Sequence, residues 1–189
     1  MAEVKIIIPG WTNADNMEAG SEEEKTSCTT TLIKDGDLVI VVDPGVLEDK
    51  NILIKALEKE NLKIDDVTHV FITHSHIDHY RNVGMFPVLT KVLEYGGIWT
   101  GGIAEDWNEK FSEDISIIKT PGHNYDGLSF LVKTNEGLVA IVGDIWWKKD
   151  YPEDDPYASD MKKIKESRLK IAEMAEYIIP GHGAMFKIK

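Results

Sequence analysis

Four side chains able to bind a metal ion fall within residues 74–79 of the chain. The segment has the pattern His-x-His-x-Asp-His, and its candidate ligands are His74, His76, Asp78 and His79. Imidazole and carboxylate ligands together suit a cation such as zinc, iron or manganese. A lone histidine is more often structural than functional, but four donors at this spacing rarely arise by chance. The segment therefore predicts a metal site.

Three further candidate ligands stand in glycine-bounded settings downstream, namely His123, Asp144 and His182. Each one, like the 74–79 segment, directly follows an apolar run that reads as a β-strand. Strands that end together bring their following loops together, and a rigid sheet commonly carries a functional site in this way. His69, the remaining histidine, lies inside a predicted strand, and we expect it to be structural.

Seven ligands are more than one cation needs, and they fit two cations that share a carboxylate. We expect the first cation to bind His74, His76 and His123. We expect the second to bind Asp78, His79 and His182, with Asp144 bridging the two. Each cation then keeps an open position for water and substrate, whereas a structural site is closed. A hydroxide shared by two such cations attacks a polarised substrate, so these residues predict a binuclear metal-dependent hydrolase in which Asp78 is catalytic.

Hydrophobic periodicity predicts the elements that hold these loops. The predicted strands cover residues 4–8, 29–34, 37–42, 67–72, 88–93, 98–100, 115–119, 128–134, 138–142 and 177–179, with hairpins at the Asp-Gly and Asn-Glu-Gly turns. Amphipathic spacing predicts helices over 49–61 and 161–176, and the acidic stretch 11–27 reads as a surface loop. Asp43 directly follows a strand, and it is the predicted hydrogen-bond acceptor for a ligating histidine.

The bulk composition restricts the class of protein. With 189 residues, 42% of them hydrophobic and 29% charged, the chain is expected to form a single globular domain over 1–189. No apolar run approaches the ~20 residues of a membrane span, and the start lacks signal-peptide features, so no membrane partner is expected. A single cysteine excludes an internal disulfide and favours a cytoplasmic location. The net charge of −12 repels polyanions at long range, but it is compatible with an anionic substrate bound at a metal site.

The ligand pattern resembles that of the metallo-β-lactamase superfamily. The 74–79 motif, the later His123, Asp144 and His182, and the upstream Asp43 match it in order. The resemblance implies an α/β (α+β) fold, an αββα sandwich in which two mixed sheets are flanked by helices. It also implies two zinc ions, or iron or manganese, at one edge of the sheets. It extends over essentially the whole chain and is more specific for fold and metal site than for substrate.

Two residues differ from the pattern of particular branches of the superfamily, and these differences restrict the expected activity. Asp144 stands where the β-lactamases usually have cysteine, and His76 where flavodiiron proteins have glutamate, which disfavours antibiotic hydrolysis and that redox branch. Segment 82–87 and the Ser167-Arg168 pair are similar to the group of metallo-β-lactamase-domain-containing protein 1 and small prokaryotic relatives. This similarity makes a ribonuclease-type phosphodiesterase one expectation beside cleavage of an ester-like bond. A mononuclear iron persulfide dioxygenase and a non-enzymatic metal-binding protein are the further alternatives.

Four residues are predicted to contact substrate: Tyr125, Trp146, Trp147 and Lys148. The run 146–149 follows Asp144 closely, so tryptophan can stack on a substrate there and lysine can bind a phosphate or carboxylate. The same run also reads as packing plus a solvated lysine pair. The expected partner is a small molecule or a phosphodiester, with nucleic acid left open, and the exposed aromatics are compatible with a homodimer face.

Overall fold

A computed structural model describes residues 1–16 and 20–188 of the chain. Its strands are β1 (Glu3–Ile8), β2 (Trp11–Thr12), β3 (Thr26–Ser27), β4 (Thr30–Asp35), β5 (Leu38–Val42), β6 (His69–Phe71), β7 (Lys91–Glu94), β8 (Gly97–Thr100), β9 (Ile103–Glu105), β10 (Ile115–Lys119), β11 (Leu128–Thr134), β12 (Gly137–Ile141), β13 (Tyr177–Ile179) and β14 (Phe186–Lys187). The α-helices are α1 (Asn51–Glu58), α2 (Ile77–Tyr80) and α3 (Met161–Met174). Short 3₁₀ helices cover Ala14–Asn16, Ile64–Asp66, Arg81–Met85 and Gly143–Ile145.

The strands form two mixed sheets. The first has the order β1-β4-β5-β6-β7-β8-β9 and the second β10-β11-β12-β13-β14, while β2 and β3 form a separate ribbon. Within the sheets β6 runs parallel to β5 and β7, and β13 runs parallel to β12, whereas the other pairs are antiparallel. Parallel neighbours need a crossover connection. The chain supplies α1 between β5 and β6, and α3 between β12 and β13.

Apolar side chains from both sheets meet in one central core. Phe71 of β6 packs against Phe130 of β11, with ring centroids 4.7 Å apart. A second buried cluster joins Leu53 of α1 to the outer face of the first sheet. A third joins Ile164 and Ile171 of α3 to the outer face of the second sheet. The layers therefore run helix, sheet, sheet, helix, and the predicted αββα sandwich is confirmed.

Some element boundaries differ from the sequence prediction. Both α1 and α3 end before their predicted boundaries. The strand predicted from residue 88 begins only at Lys91, because Thr90 N donates to Pro87 O and holds the preceding residues in a turn. The sequence did not predict β9 and β14, which are short and lie at sheet edges. Pairing with a neighbour, more than hydrophobic pattern, defines strands of this kind.

The stretch 11–27 is more structured than the predicted loop. It contains β2, β3 and a 3₁₀ turn, and its residues 17–19 lie outside the described part. Trp11 of β2 pairs with Ser27 of β3. The carbonyl oxygen of Ser27 lies 3.0 Å from Nδ1 of His182, so the ribbon lies beside the loop that follows β13. Across residues 1–16 and 20–188, none of the helices combines the length and the hydrophobicity needed to cross a lipid bilayer.

Candidate metal centre

The 74–79 segment contains the turn that follows β6 and the first residues of α2. His76 lies at the N-cap of α2 with an extended backbone, so the chain changes direction there. A continuous strand would place His74, His76 and Asp78 on one face and turn His79 away. A continuous helix would pair His74 with Asp78 and His76 with His79. The turn instead brings Nε2 of His74 to 3.0 Å from Nδ1 of His76. His79, within α2, has no solvent exposure.

Asp43 organises this turn from behind. It has a φ of +49°, a left-handed conformation that is uncommon for a residue other than glycine. Its Oδ1 accepts a hydrogen bond from Thr73 N at 2.9 Å, and its Oδ2 accepts from Thr73 Oγ1 at 2.7 Å. Oδ2 also lies 2.8 Å from Nδ1 of His79. Asp43 thus occupies the position beside a candidate ligand that the sequence predicted.

Four of the predicted ligands form what we call the first donor group: His74, His76, His123 and Asp144. Nδ1 of His76 lies 3.0 Å from Nε2 of His74 and 3.0 Å from Nε2 of His123. Oδ2 of Asp144 lies 3.7 Å from Nε2 of His74 and 3.4 Å from Nε2 of His123. Tetrahedral zinc with bonds of about 2.0–2.1 Å places its ligand atoms roughly 3.3–3.4 Å apart. The spacing of this group fits one such cation.

The other three predicted ligands form the second donor group: Asp78, His79 and His182. Oδ2 of Asp78 lies 3.7 Å from Nε2 of His79 and 3.7 Å from Nε2 of His182. Asp144 also reaches this group, since its Oδ1 is 3.3 Å from Nε2 of His79 and its Oδ2 is 3.2 Å from Nε2 of His182. All seven predicted ligands therefore meet, and Asp144 lies between the two groups.

The donor set fits a cation better than it fits a network of hydrogen bonds. Nε2 of His79 and Oδ1 of Asp144 are buried, and neither has a hydrogen-bond partner within the described residues. A buried polar atom without a partner costs about 1–3 kcal/mol. A cation coordinated by both atoms removes this cost, so this cluster of histidine and aspartate residues is able to bind metal.

The surroundings of Asp144, His74 and His76 favour the protonation states that bind cations. Burial disfavours the ionised form of Asp144, but His182 and His79 outweigh it and hold the pKa of Asp144 well below its ordinary value. Burial, reinforced by neighbouring histidines, lowers the pKa of His74 and of His76. Burial acts in the same direction on His79 and His182, but the nearby carboxylates, Asp144 first, raise the pKa of both rings above the ordinary value. A carboxylate and neutral imidazoles are the forms that ligate metal, so a cation must displace a proton from these two rings when it binds.

Two histidines have outer partners that the sequence did not reveal. Nδ1 of His123 lies 2.5 Å from Oδ2 of the buried Asp155. Nδ1 of His182 lies 2.7 Å from Thr26 Oγ1 and 3.0 Å from the Ser27 carbonyl oxygen. Such partners orient a ligating ring and set which nitrogen carries the proton. The sequence carries no local signal for these contacts, because Asp155 lies in an acidic, proline-containing stretch that reads as an ordinary loop.

Both donor groups open onto one cavity of about 330 Å³. Its lining combines ligands from both groups with four other residues, Glu24, Thr26, Trp147 and Tyr157. The rings of Trp147 and Tyr157 stack with centroids 5.7 Å apart and an interplanar angle of 10°. We call this stacked pair the aromatic wall of the cavity. Tyr157 Oη lies 2.5 Å from Glu24 Oε2, which connects the loop before β3 to the aromatic wall. The volume suits a small molecule.

The four predicted substrate contacts have different surroundings. Trp147 lines the cavity, with its ring edge-on to His123 and to His182, each at 6.1 Å. Trp146 packs against Phe186 and Arg168, and Lys148 pairs with Asp15. Tyr125 is 71% exposed beside Tyr95. Trp146, Lys148 and Tyr125 are absent from the cavity lining among the described residues, and their contact with substrate stays a prediction.

His69 lies apart from the donor groups. Its ring packs edge-on against Phe71 and Phe111, with centroids 6.2 and 5.4 Å away. Burial, and then the charge of Lys91 on the neighbouring strand, lower its pKa to about 4. These contacts agree with the structural role that its place inside a strand predicted.

The sandwich and its His/Asp cluster define a class of metal-dependent enzymes. Residues 24–98 match the family described as the metallo-beta-lactamase superfamily. A probable metallo-hydrolase of Methanocaldococcus jannaschii is 32% identical over 154 residues, which cover 79% of this chain and 74% of that protein. Metallo-beta-lactamase domain-containing protein 1 of Xenopus laevis is 29% identical over 195 residues, covering 98% of this chain and 81% of that protein.

The chain belongs to the metallo-β-lactamase superfamily and is a hydrolase of that fold. The predicted similarity to the domain-containing protein 1 group and to small prokaryotic relatives is confirmed, the latter by the archaeal metallo-hydrolase. Solved structures agree on the fold. A metallo-beta-lactamase-like protein from Thermotoga maritima superposes with a TM-score of 0.72 at 23% identity, over 98% of this chain and 99% of that one. An N-acyl homoserine lactone hydrolase with product at its metal centre superposes with a TM-score of 0.67 at 17% identity, over 96% and 92%.

Proposed function

We propose that this hydrolase binds two cations and cleaves an ester-like bond, such as that of a lactone or thioester, in a small substrate. The observation that supports the proposal most strongly is the position of Asp144 between two donor groups that open onto one cavity. We propose zinc at both positions, with iron or manganese as alternatives, because all three accept imidazole and carboxylate ligands. Cations held there lower the pKa of a coordinated water and polarise the substrate oxygen.

Asp78 is the proposed proton-transferring residue. Of the two carboxylates in the donor groups it is the more accessible, with 18% of its side chain exposed against 5% for Asp144. It lines the cavity, so a proton taken from the attacking water can be held on its carboxylate and returned to the leaving oxygen or sulfur. Asp144 also borders the cavity, but its side chain is only 5% exposed and lies between the two donor groups, so it is proposed to hold cations only.

The side chains around the cavity favour an ester-like substrate over a nucleic acid. The described lining contains no lysine or arginine, and two divalent cations would offset its three carboxylates, on Glu24, Asp78 and Asp144. Lys148, the nearest basic residue in sequence to Asp144, pairs with Asp15. Proteins that bind a phosphodiester backbone neutralise it with several basic side chains. The net charge of −12 acts in the same direction.

The aromatic wall supports a substrate with an apolar part. Trp147 is 4% exposed and Tyr157 is 41% exposed, so Tyr157 presents most of the wall's accessible surface. A flat ring in this position can pack against an acyl chain or a lactone ring. The lactone hydrolase that shares this fold acts on such a bond, and this is the substrate class that we carry to the present chain.

Elemental analysis and a substrate panel test the proposal together. The purified chain is loaded with zinc, iron or manganese, and turnover is measured on a lactone, a thioester, an aryl ester, a bis-aryl phosphate and RNA. We expect two cations per chain, and turnover of the ester-like substrates that stops when a chelator is added. One iron per chain with persulfide-dependent oxygen uptake would identify a dioxygenase instead. Faster turnover of RNA or the phosphate would contradict the proposed substrate class.

A further inference from the structure

Asp155, a buried carboxylate outside the ligand set, connects a metal-binding histidine to the cavity wall. Its Oδ2 lies 2.5 Å from Nδ1 of His123, and its Oδ1 accepts a hydrogen bond from Tyr157 N at 2.9 Å. The Asp155 side chain has no exposure, whereas the side chain of its neighbour Asp154 is 76% exposed. A buried carboxylate is costly unless its oxygens have donors, and here each oxygen has one.

We propose that Asp155 is a positioning residue that holds His123 in the cation-binding tautomer and couples this histidine to the Tyr157 wall. This inference rests on the proposed function, because it assumes a cation at the first donor group. Nε2 of His123 faces the other ligands of that group, so Nε2 must carry the free lone pair. The ring proton must then be on Nδ1, where the carboxylate of Asp155 accepts it.

Helix α3 fixes the segment that carries Asp155. Arg168 donates from Nη2 to Pro152 O at 2.8 Å and from Nη1 to Glu153 O at 3.0 Å. The adjacent Ser167 donates from Oγ to Pro121 O at 2.8 Å, which holds the loop carrying His123. One turn of α3 therefore sets the position of both partners. The bond from His123 to Asp155 is formed between two loops anchored on one rigid element.

The same carboxylate determines where the wall stands. Tyr157 stacks on Trp147, and its hydroxyl contacts Glu24 on the loop before β3. A shift of Asp155 moves the backbone of Tyr157 and with it this stack. By linkage, a cation that fixes His123 also fixes Tyr157, and a substrate bound against Tyr157 favours cation binding. Asp155 therefore joins the first donor group to the cavity wall at Tyr157.

Asp155→Asn tests the proposal, because it keeps the size and replaces one of the two acceptors with a donor. If the amide oxygen faces Tyr157 N, the amide NH₂ faces Nδ1 of His123 and forces the ring proton onto Nε2. If the oxygen faces His123, the NH₂ opposes Tyr157 N, and the wall is lost. Loss of such an outer partner weakens metal binding about 10–100-fold. In the first orientation we expect this loss at the first donor group alone, so that one of two zinc ions is released first. In the second orientation we expect zinc affinity to be kept and KM to rise, because the position of Tyr157 is lost.

Zinc affinity is measured by chelator competition without substrate, and stoichiometry by native mass spectrometry. Asp154→Asn is the matched control, and it should bind two zinc ions as the unmodified chain does. Tyr157→Ala keeps the backbone N–H and removes the ring, so it should leave zinc affinity unchanged while raising KM. Wild-type zinc affinity together with wild-type KM in Asp155→Asn would overturn the proposal. So would an equal loss in Tyr157→Ala, because the effect would then come from the wall.

A second measurement needs no variant. In the zinc-loaded wild-type chain, nitrogen-15 NMR of the histidines should show His123 protonated on Nδ1, with a slowly exchanging proton. A His123 ring protonated on Nε2 would overturn the proposal even if Asp155→Asn does not fold. The outcome is also distinct from that of the proposed function. If Asp155→Asn releases one zinc ion first while the unmodified chain leaves every ester uncleaved, the substrate class is refuted and the role of Asp155 is supported.

Discussion

Gly181 is the position where the smallest substitution tests the metal centre most directly. A Cβ atom on Gly181 would lie 1.8 Å from Oδ1 of Asp144 and 3.0 Å from its Cγ. Gly181 does not have a positive φ angle, so alanine suits the local backbone. Its N–H donates to Gly143 O at 2.8 Å, which keeps this backbone against the loop of Asp144. Gly181→Ala therefore perturbs Asp144 through one methyl group.

The size of the effect follows from these distances. Ordinary contact begins at 3.4 Å, so Oδ1 of Asp144 must move by 1.6 Å, the difference between 3.4 and 1.8 Å. Metal–ligand distances vary by only about 0.2 Å in working sites. Cation affinity should therefore fall by more than the roughly 10–100-fold that loss of an outer partner causes. Overpacking of this buried place should also lower the stability of the cation-free chain by about 1–3 kcal/mol.

The assay compares Gly181→Ala with Gly84→Ala, at which an added Cβ would have nothing within 4 Å. Zinc affinity is measured by chelator competition, and the free energy of unfolding by denaturant titration of both cation-free proteins. Gly84→Ala should match the unmodified chain in both measurements. If Gly181→Ala also bound two zinc ions with unchanged affinity, Asp144 could not stand where the structure places it, and the bridging argument would fail.

Two further predictions concern an acidic ligand and a core histidine. Asp78→Ala should lower kcat about 10²–10⁴-fold and weaken cation binding at the second donor group. The exposed Asp65→Ala is the control and should change neither kcat nor cation affinity. Full turnover in Asp78→Ala would refute the role of Asp78. His69 has a pKa of about 4 in the folded chain, below its ordinary 6.5, so the unfolded chain takes up the proton first as pH falls. The free energy of unfolding should therefore decline from near pH 6.5 down to about pH 4. His69→Phe should make this decline less steep when it is measured by denaturant titration at several pH values. An unchanged pH dependence in His69→Phe argues against the burial of this ring.

Much of the site could be predicted because its signals are local in the chain. The 74–79 motif places four donors within six residues, and each later donor follows an apolar strand. Once those strands are assigned, the fold has to bring their ends together, and the structure does so. The division of the seven candidate ligands into two groups was also predicted, and the structure brings the same residues together.

The parts that could not be predicted depend on contacts between distant segments. Asp155 meets His123 across 32 residues, and Thr26 meets His182 across 156. Neither partner stands in a motif, so only the packing of the loops decides the pairing. The neighbours Trp146 and Trp147 show the same limit, since one packs against Phe186 and the other lines the cavity.

The sequence by itself determined which side chains can hold cations, which strands deliver them and what class of fold results. These properties follow from residue type and from hydrophobic periodicity, which are read over a few neighbouring positions. Tertiary structure alone decided the proposed tautomer-setting partner of His123, the stacking of Tyr157 on Trp147 and which side chains line the cavity. Each of these depends on the register and packing of segments far apart in the chain, and local pattern carries no record of that packing.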